Sequence, residues 1–166
     1  MIVLRALTVA LWAASGLGQA PSEVVRWSAK APEAPVAAGQ TVRIAVAAEI
    51  EPGWHLYATT QPPNGPRPLL MTLSGSQPFT VQARNIMAPA ATVEHDPNFN
   101  AETQFYEERA AFTVPVSVKK DAPRGKQTLT LAVTFQACSG RLCLRPFTQQ
   151  IPVEIVVGSS KKGSGR

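Results

Sequence analysis

The chain has 166 residues, 45% of them hydrophobic and 16% charged, with a formal net charge of +5. Of its 16 basic residues, Arg5, Lys161, Lys162 and Arg166 lie in the terminal stretches, so the part between them nearly balances the 11 acidic residues. That excludes an electrostatic nucleic-acid binder, and the length suits a single domain.

The chain opens with "MIVLRALTVALWAASGLGQA": one cation at Arg5, an apolar run from Ala6 to Ala14, then small residues. This is the layout of a secretory signal peptide, expected over residues 1–20, and the apolar run is too short for a membrane span. Pro21 is a poor first residue for a mature chain, so cleavage after Gly16 or Gly18 is an alternative. Neither cysteine lies near this segment, which argues against a lipid-anchored start.

Residues 21–157 alternate between apolar and polar with period two, and no long proline-free stretch has helical spacing. Val24–Ala29 is a short strand candidate. In "TVRIAVAAEI", Val42, Ile44, Val46, Ala48 and Ile50 share one face. Short candidates follow at Trp54–Ala58, Leu69–Leu73 and Phe79–Asn85, then a longer one at Phe105–Val118. "TLTLAVTFQAC" aligns Leu129, Leu131, Val133, Phe135 and Ala137, and "QIPVEIVV" aligns Ile151, Val153, Ile155 and Val157. Turn formers separate them, among them Glu51-Pro52-Gly53, Asn64-Gly65-Pro66 and Ser74-Gly75-Ser76. The segment "EHDPNFNAETQ" has no apolar period and reads as a loop. About seven or eight short strands, with frequent turns and many prolines, predict an all-β antiparallel sandwich. Residues 158–166 form a basic Gly/Ser tail with no apolar side chain to bury, expected to be flexible and solvated, with contact of its two lysines with an anionic membrane surface as the alternative.

Both cysteines stand in "FQACSGRLCLRP". Cys138 ends a strand, Ser139–Leu142 form a loop with a glycine available for a positive backbone angle, and Cys143 begins the return. Opposed residues of an antiparallel pair have Cα atoms about 4.5–5.5 Å apart, within the range of about 4.4–6.8 Å that suits a disulfide. A bridge closing so small a loop removes little unfolded-state entropy, about 2 kcal/mol, and lies at an accessible strand end near Arg141 and Arg145. A permanent disulfide and a redox pair both fit these residues. Zinc fits poorly, because His55 and His95 lie far upstream without finger spacing.

"FQACSGRLCLRP", the upstream "PGWHLYA" and the middle stretch "HDPNFNAETQFYEERAAFTVPV" together resemble the N-terminal periplasmic domain of the DsbD thiol-disulfide interchange reductases, over most of residues 23–157. The resemblance implies an immunoglobulin-like fold and a redox-active pair, with Cys143 as the nucleophile and Cys138 as the resolving thiol. It also implies that Phe99 is a cap shielding the disulfide, and that Tyr57 and His55 line the pocket beneath it. Asn98 and Asn100 stand where the family has acidic and tyrosine residues beside the cap, and Arg145 stands where a second proline is frequent.

The function so implied is periplasmic thiol-disulfide exchange, passing reducing equivalents between a thioredoxin-like donor and oxidised clients. No metal or organic cofactor, no nucleic acid and no stable membrane insertion are expected, and a monomer is expected. The best-known relative continues into membrane-embedded and thioredoxin-like domains, so electrons here are expected from a separate protein. The rival expectation is a secreted immunoglobulin-like binding or chaperone-type module with a permanent disulfide.

Overall fold

The computed structural model describes residues 20–158. The expected leader, apart from Ala20, and the expected tail, apart from Gly158, lie outside the described residues. One helical turn, α1 (Pro21–Val24), precedes β1 (Val25–Lys30), β2 (Val36–Ala37), β3 (Thr41–Ile50), β4 (Trp54–Tyr57), β5 (Leu70–Leu73) and β6 (Phe79–Val81). A 3-10 turn at Ala83–Asn85 follows, then β7 (Thr92–Asp96), β8 (Ala101–Tyr106), β9 (Arg109–Val118), β10 (Gly125–Phe135), β11 (Ala137–Ser139) and β12 (Phe147–Gly158).

These strands build an immunoglobulin-like β-sandwich, almost entirely antiparallel. One layer has the order β1-β3-β9-β6 and the other β2-β12-β10-β5, with the short β2–β12 pair parallel. Alternation decides which side of each strand faces inward. Val42, Ile44, Val46, Ala48 and Ile50 of β3 are buried, as are Leu129, Leu131, Val133 and Phe135 of β10 and Ile151, Val153, Ile155 and Val157 of β12. Trp27 of β1 joins the layers, with its ring 5.6 Å from Phe135 on β10 and 6.0 Å from Phe112 on β9. Burying apolar side chains of this size is worth about 1.5–3 kcal/mol each, so the two inner faces supply the main stabilisation.

A third, smaller sheet, β11-β4-β8-β7, carries Cys138, and Cys143 joins it through an isolated bridge. It is built from extensions of both layers: β3 turns into β4, β8 leads into β9, and β10 runs on into β11. The β3–β4 turn is a type II turn, with Pro52 and Gly53 at its centre, a Trp54 N–H to Glu51 C=O bond of 3.0 Å, and Gly53 at φ +81°. A side chain there would be strained, so this glycine helps to fix the direction in which β4 leaves the sandwich.

The structure departs from the sequence expectations in several places. It has twelve strands among the described residues, more than expected. The candidate Phe105–Val118 is two strands, broken at Glu107 and Glu108; Glu108 adopts φ +58° and its carbonyl accepts the Ile50 N–H. The candidate Phe79–Asn85 stops at Val81 and coils into the 3-10 turn. The expected loop "EHDPNFNAETQ" is mostly a β7–β8 hairpin, in which only Pro97–Asn100 lie outside the strands. Gly140 does not take the positive angle expected of it. Instead the Ser139 hydroxyl accepts the Leu142 N–H at 3.1 Å, and a Ser139 N–H to Leu142 C=O bond of 2.8 Å closes the hairpin.

Cys138 and Cys143 oppose each other across this hairpin, with Cα atoms 4.1 Å apart, and are joined in a disulfide. Because the bridge spans a sequence separation of only 5 residues and the core lies elsewhere, its loss removes only a short-loop constraint. Reduction should lower unfolding free energy by about 2 kcal/mol or less. Circular dichroism and urea melts with and without reductant should show an unchanged strand signal, whereas global unfolding on reduction would assign the bridge a structural role.

Candidate functional site

The site begins at Gln136, between β10 and β11. Up to Phe135 the strand pairs with β12 and β5; beyond Gln136 it pairs with β4, setting Ala137 opposite Leu56 and Cys138 opposite His55. Period-two alternation then sends neighbours to opposite faces. Ala137 packs into the main core, whereas Cys138 enters a separate small cluster with Tyr57 and Phe105, all three buried. Phe99 and Cys143 pack against this cluster and are partly exposed. The five residues singled out from the sequence are thus brought together around one disulfide, with His55 on the strand beneath.

Each supporting side chain arrives by strand register. β4 contributes His55 and Tyr57, and Tyr57 pairs with Phe105 of β8. β8 pairs with β7 as far as Asp96 opposite Ala101, so the turn that follows Asp96 carries Phe99 over the cluster. The Phe99 ring meets Tyr57 edge-on at 5.7 Å, and His55 stacks obliquely on Phe105 at 4.8 Å. Edge-on and tilted arrangements at such distances suit the quadrupoles of aromatic rings.

Asp96, which the sequence reading missed, organises the polar side of the site. The Tyr57 hydroxyl donates to its Oδ2 at 2.5 Å, and the Asn98 backbone N–H donates to its Oδ1 at 2.8 Å. Tyrosine has one O–H, and it is spent on Asp96. The 3.1 Å contact between His55 Nε2 and the Tyr57 oxygen is therefore donated by the imidazole, which assigns the proton of neutral His55 to Nε2. The only sequence signal for Asp96 is the Asp-Pro pair, a common turn opener.

The ionisation states follow from burial and partners. Burial pushes the His55 pKa down, against the opposing pull of Asp96 and Glu107. Burial also raises the Tyr57 pKa far above its ordinary value, reinforced by the hydrogen bond to Asp96 and its charge. For Asp96, burial acts to raise the pKa, but hydrogen bonds from Tyr57 and Asn98, with the nearby His55, outweigh it and hold the carboxyl below its ordinary value. Near neutral pH the site thus holds a carboxylate, a neutral phenol and a neutral imidazole beside the sulfurs. Arg141 and Arg145 are exposed on the hairpin. His95 pairs with Glu102 on the exposed β7–β8 ribbon, away from His55, and among the described residues no cluster of three or more His, Cys, Asp or Glu side chains is arranged to hold a metal.

A sandwich whose strands run on into a small sheet, with a hairpin disulfide set in a small aromatic cluster apart from the main core, defines a class of immunoglobulin-like domain with a cystine at its edge. Residues 24–155 match the family described as thiol:disulfide interchange protein DsbD, N-terminal, and the chain belongs to that family. Among solved structures, the reduced N-terminal domain of DsbD from Neisseria meningitidis superposes with a TM-score of 0.52 at 15% identity, over 86% of this chain and 91% of that one. The N-terminal periplasmic domain of ScsB from Proteus mirabilis gives a TM-score of 0.49 at 18% identity, over 76% of this chain and 44% of that one. At such identities the likeness to DsbD is one of fold. No curated protein matches the chain by sequence.

The depressed His55 pKa has a measurable consequence. Unfolded His55 takes up a proton as the pH falls through its ordinary value of 6.5, but folded His55 does so only at lower pH. Between those values the unfolded chain binds more protons, so stability should fall with acidification. Urea midpoints at about pH 7.5 and about pH 5 should differ for the native chain and converge for His55→Gln. The Asp96 contribution is present above its ordinary value of 3.8 and is lost only as the pH falls through the depressed folded value, so it lies in a more acidic window. An undiminished slope in His55→Gln would contradict the assignment of a buried neutral imidazole.

Proposed function

We propose that this protein is a periplasmic thiol-disulfide exchange protein that passes reducing equivalents from a thioredoxin-like donor to oxidised clients through Cys138 and Cys143. The observation that carries the reading is the position of the disulfide: it closes a short hairpin outside the main core, and Cys138 sits in a small separate cluster against which Phe99 and Cys143 pack. The family membership supports it. Among the described residues no helix is long and apolar enough to cross a membrane.

Exchange requires in-line approach of one sulfur to another, so the difference in accessibility supports Cys143 as the attacking thiol and Cys138 as the resolving one. Cys143 is partly exposed and Cys138 is fully buried. A donor thiolate attacks Cys143 Sγ, breaks the bond to Cys138 and forms a mixed disulfide; the donor's second thiolate then resolves it, leaving the donor oxidised and both cysteines reduced. The Cys143 thiolate next attacks the client disulfide and expels one client sulfur as a thiolate. Cys138 attacks Cys143 Sγ in turn, releasing the second client thiolate and restoring the bridge. Leu142, 51% exposed beside Cys143, offers an apolar contact to either partner.

Phe99 acts as the cap in this reading, with Tyr57 and His55 lining the pocket beneath it. The ring excludes small thiols while the site is idle and swings aside when a partner docks. Because Phe99 is only partly buried and outside the main core, truncation costs less than the roughly 3–5 kcal/mol typical of a core phenylalanine.

Two experiments test the reading. Cys138→Ser should accumulate a covalent complex with a thioredoxin-like partner, whereas Cys143→Ser should form none; equal trapping by both variants would contradict the assigned order of attack. Phe99→Ala should speed reduction of the disulfide by dithiothreitol several-fold while the protein stays folded, and unchanged kinetics in a folded variant would remove the cap from the mechanism.

A further inference from the structure

The Phe99 turn is tied down by more than the phenylalanine. Of the five residues of β7, only Asp96 is buried, and it and Thr103 are the buried polar or charged residues among those described. A carboxylate is costly to bury unless its oxygens are hydrogen-bonded, and here each oxygen has a partner from a different segment. Oδ1 takes the backbone N–H of Asn98, inside the turn, and Oδ2 takes the Tyr57 hydroxyl from β4, a residue 39 positions away. The Asp96 carbonyl also accepts the Phe99 N–H at 3.2 Å. On the far side of the turn, the Asn98 side-chain amide reaches the carbonyl of Ser139, next to Cys138, at 3.4 Å.

We propose that Asp96 is the latch of the cap: a positioning residue whose carboxylate bridges the turn carrying Phe99 to Tyr57 on β4, and so holds the ring over the Cys138–Cys143 disulfide. The inference rests on the exchange reading and adds to it the residue that sets how often the site is open. The Phe99 ring makes a partly exposed apolar contact with no hydrogen bond of its own. The carboxylate supplies direction, because hydrogen bonds to an ionised acceptor are stronger than neutral ones and fix the turn relative to β4. Swinging Phe99 aside lifts the Asn98 N–H from Oδ1 or strips Tyr57 from Oδ2, so the turn opens as a unit when that bridge breaks. The charged and titratable groups around the bridge are His55 and Tyr57 from β4, and Glu107 beyond the end of β8, whose charge acts on His55.

The test is the rate at which dithiothreitol reduces the disulfide of the full chain, measured for single and double substitutions. Asp96→Ala should raise the rate several-fold, to about that of Phe99→Ala, and the double variant should be no faster than Phe99→Ala alone, because the latch acts only through the ring. Tyr57→Phe removes one arm of the bridge and should give a smaller increase, again absent when Phe99 is already alanine. Asp96→Asn keeps an oxygen for the Asn98 N–H and should fall between Asp96→Ala and the native chain. A residue that merely supported the fold, or acted on the sulfurs directly, would multiply the effect of Phe99→Ala; multiplying rates, or a native rate in folded Asp96→Ala, overturns the latch. If Asp96→Ala does not fold, Tyr57→Phe with and without Phe99→Ala reads the same coupling. Partner trapping by Cys138→Ser is scored separately: its absence alongside intact coupling of Asp96 to Phe99 overturns the exchange reading and supports the latch.

Discussion

The site depends on one change of partner in one strand. β10 is held along its whole length by β12, and a residue later the chain belongs to a different sheet. Gln136 makes the crossing, bonded to three separate segments: its carbonyl accepts the Tyr57 N–H, its side-chain oxygen accepts the Arg67 N–H at 2.8 Å, and its side-chain amide donates to the Leu144 carbonyl at 3.2 Å. Without that junction, Cys138 would have no reason to leave the sandwich face, and Tyr57, Cys138 and the return segment bearing Cys143 would not be held in common. The two large layers behind it serve as the frame, and the small sheet holds Cys138 and its disulfide.

This division sets a fully buried sulfur in a bridge that lies outside the main core. Cys138 is packed as tightly as a core residue, yet its cluster is separate from the main core, and the bond it makes constrains only a short hairpin. Opening the bridge therefore leaves the two large layers and their aromatic contacts in place. The polar side of the cluster is satisfied by a chain of donors from His55 to Tyr57 to Asp96, so its one buried charge is not left unpaired when the sulfurs separate.

What could be read from the sequence follows from which strands are wetted on one side. β3, β10 and β12 each bury one face, so their apolar residues alternate and their faces are visible in the letters alone. β7 gives no such signal, since four of its five residues are exposed and the buried one is an aspartate; its strand character comes from pairing with β8. The β8–β9 boundary is hidden for a related reason: the break falls on Glu107 and Glu108, with no glycine or proline to mark it, and Glu108 takes a left-handed angle unusual for its type. In the site, the cysteine pair was legible because hairpin geometry links spacing to distance, and the structure bears out that opposition. Phe99, Tyr57 and His55 were reached only through the family resemblance. Asp96 was not reached at all, because its role is set by Tyr57, a partner distant in sequence, and by a turn that only the folded hairpin defines.

In the exchange reading, the Cys138–Cys143 bond is made to be opened. Its reduction potential, measured by equilibration with glutathione or thioredoxin redox buffers, tests this most directly. A bridge that exchanges electrons with thioredoxin-like partners should equilibrate within their range, above about −300 mV. A potential below about −300 mV, where permanent disulfides of secreted proteins lie, would contradict the account and leave the bridge as a fixed element of the hairpin.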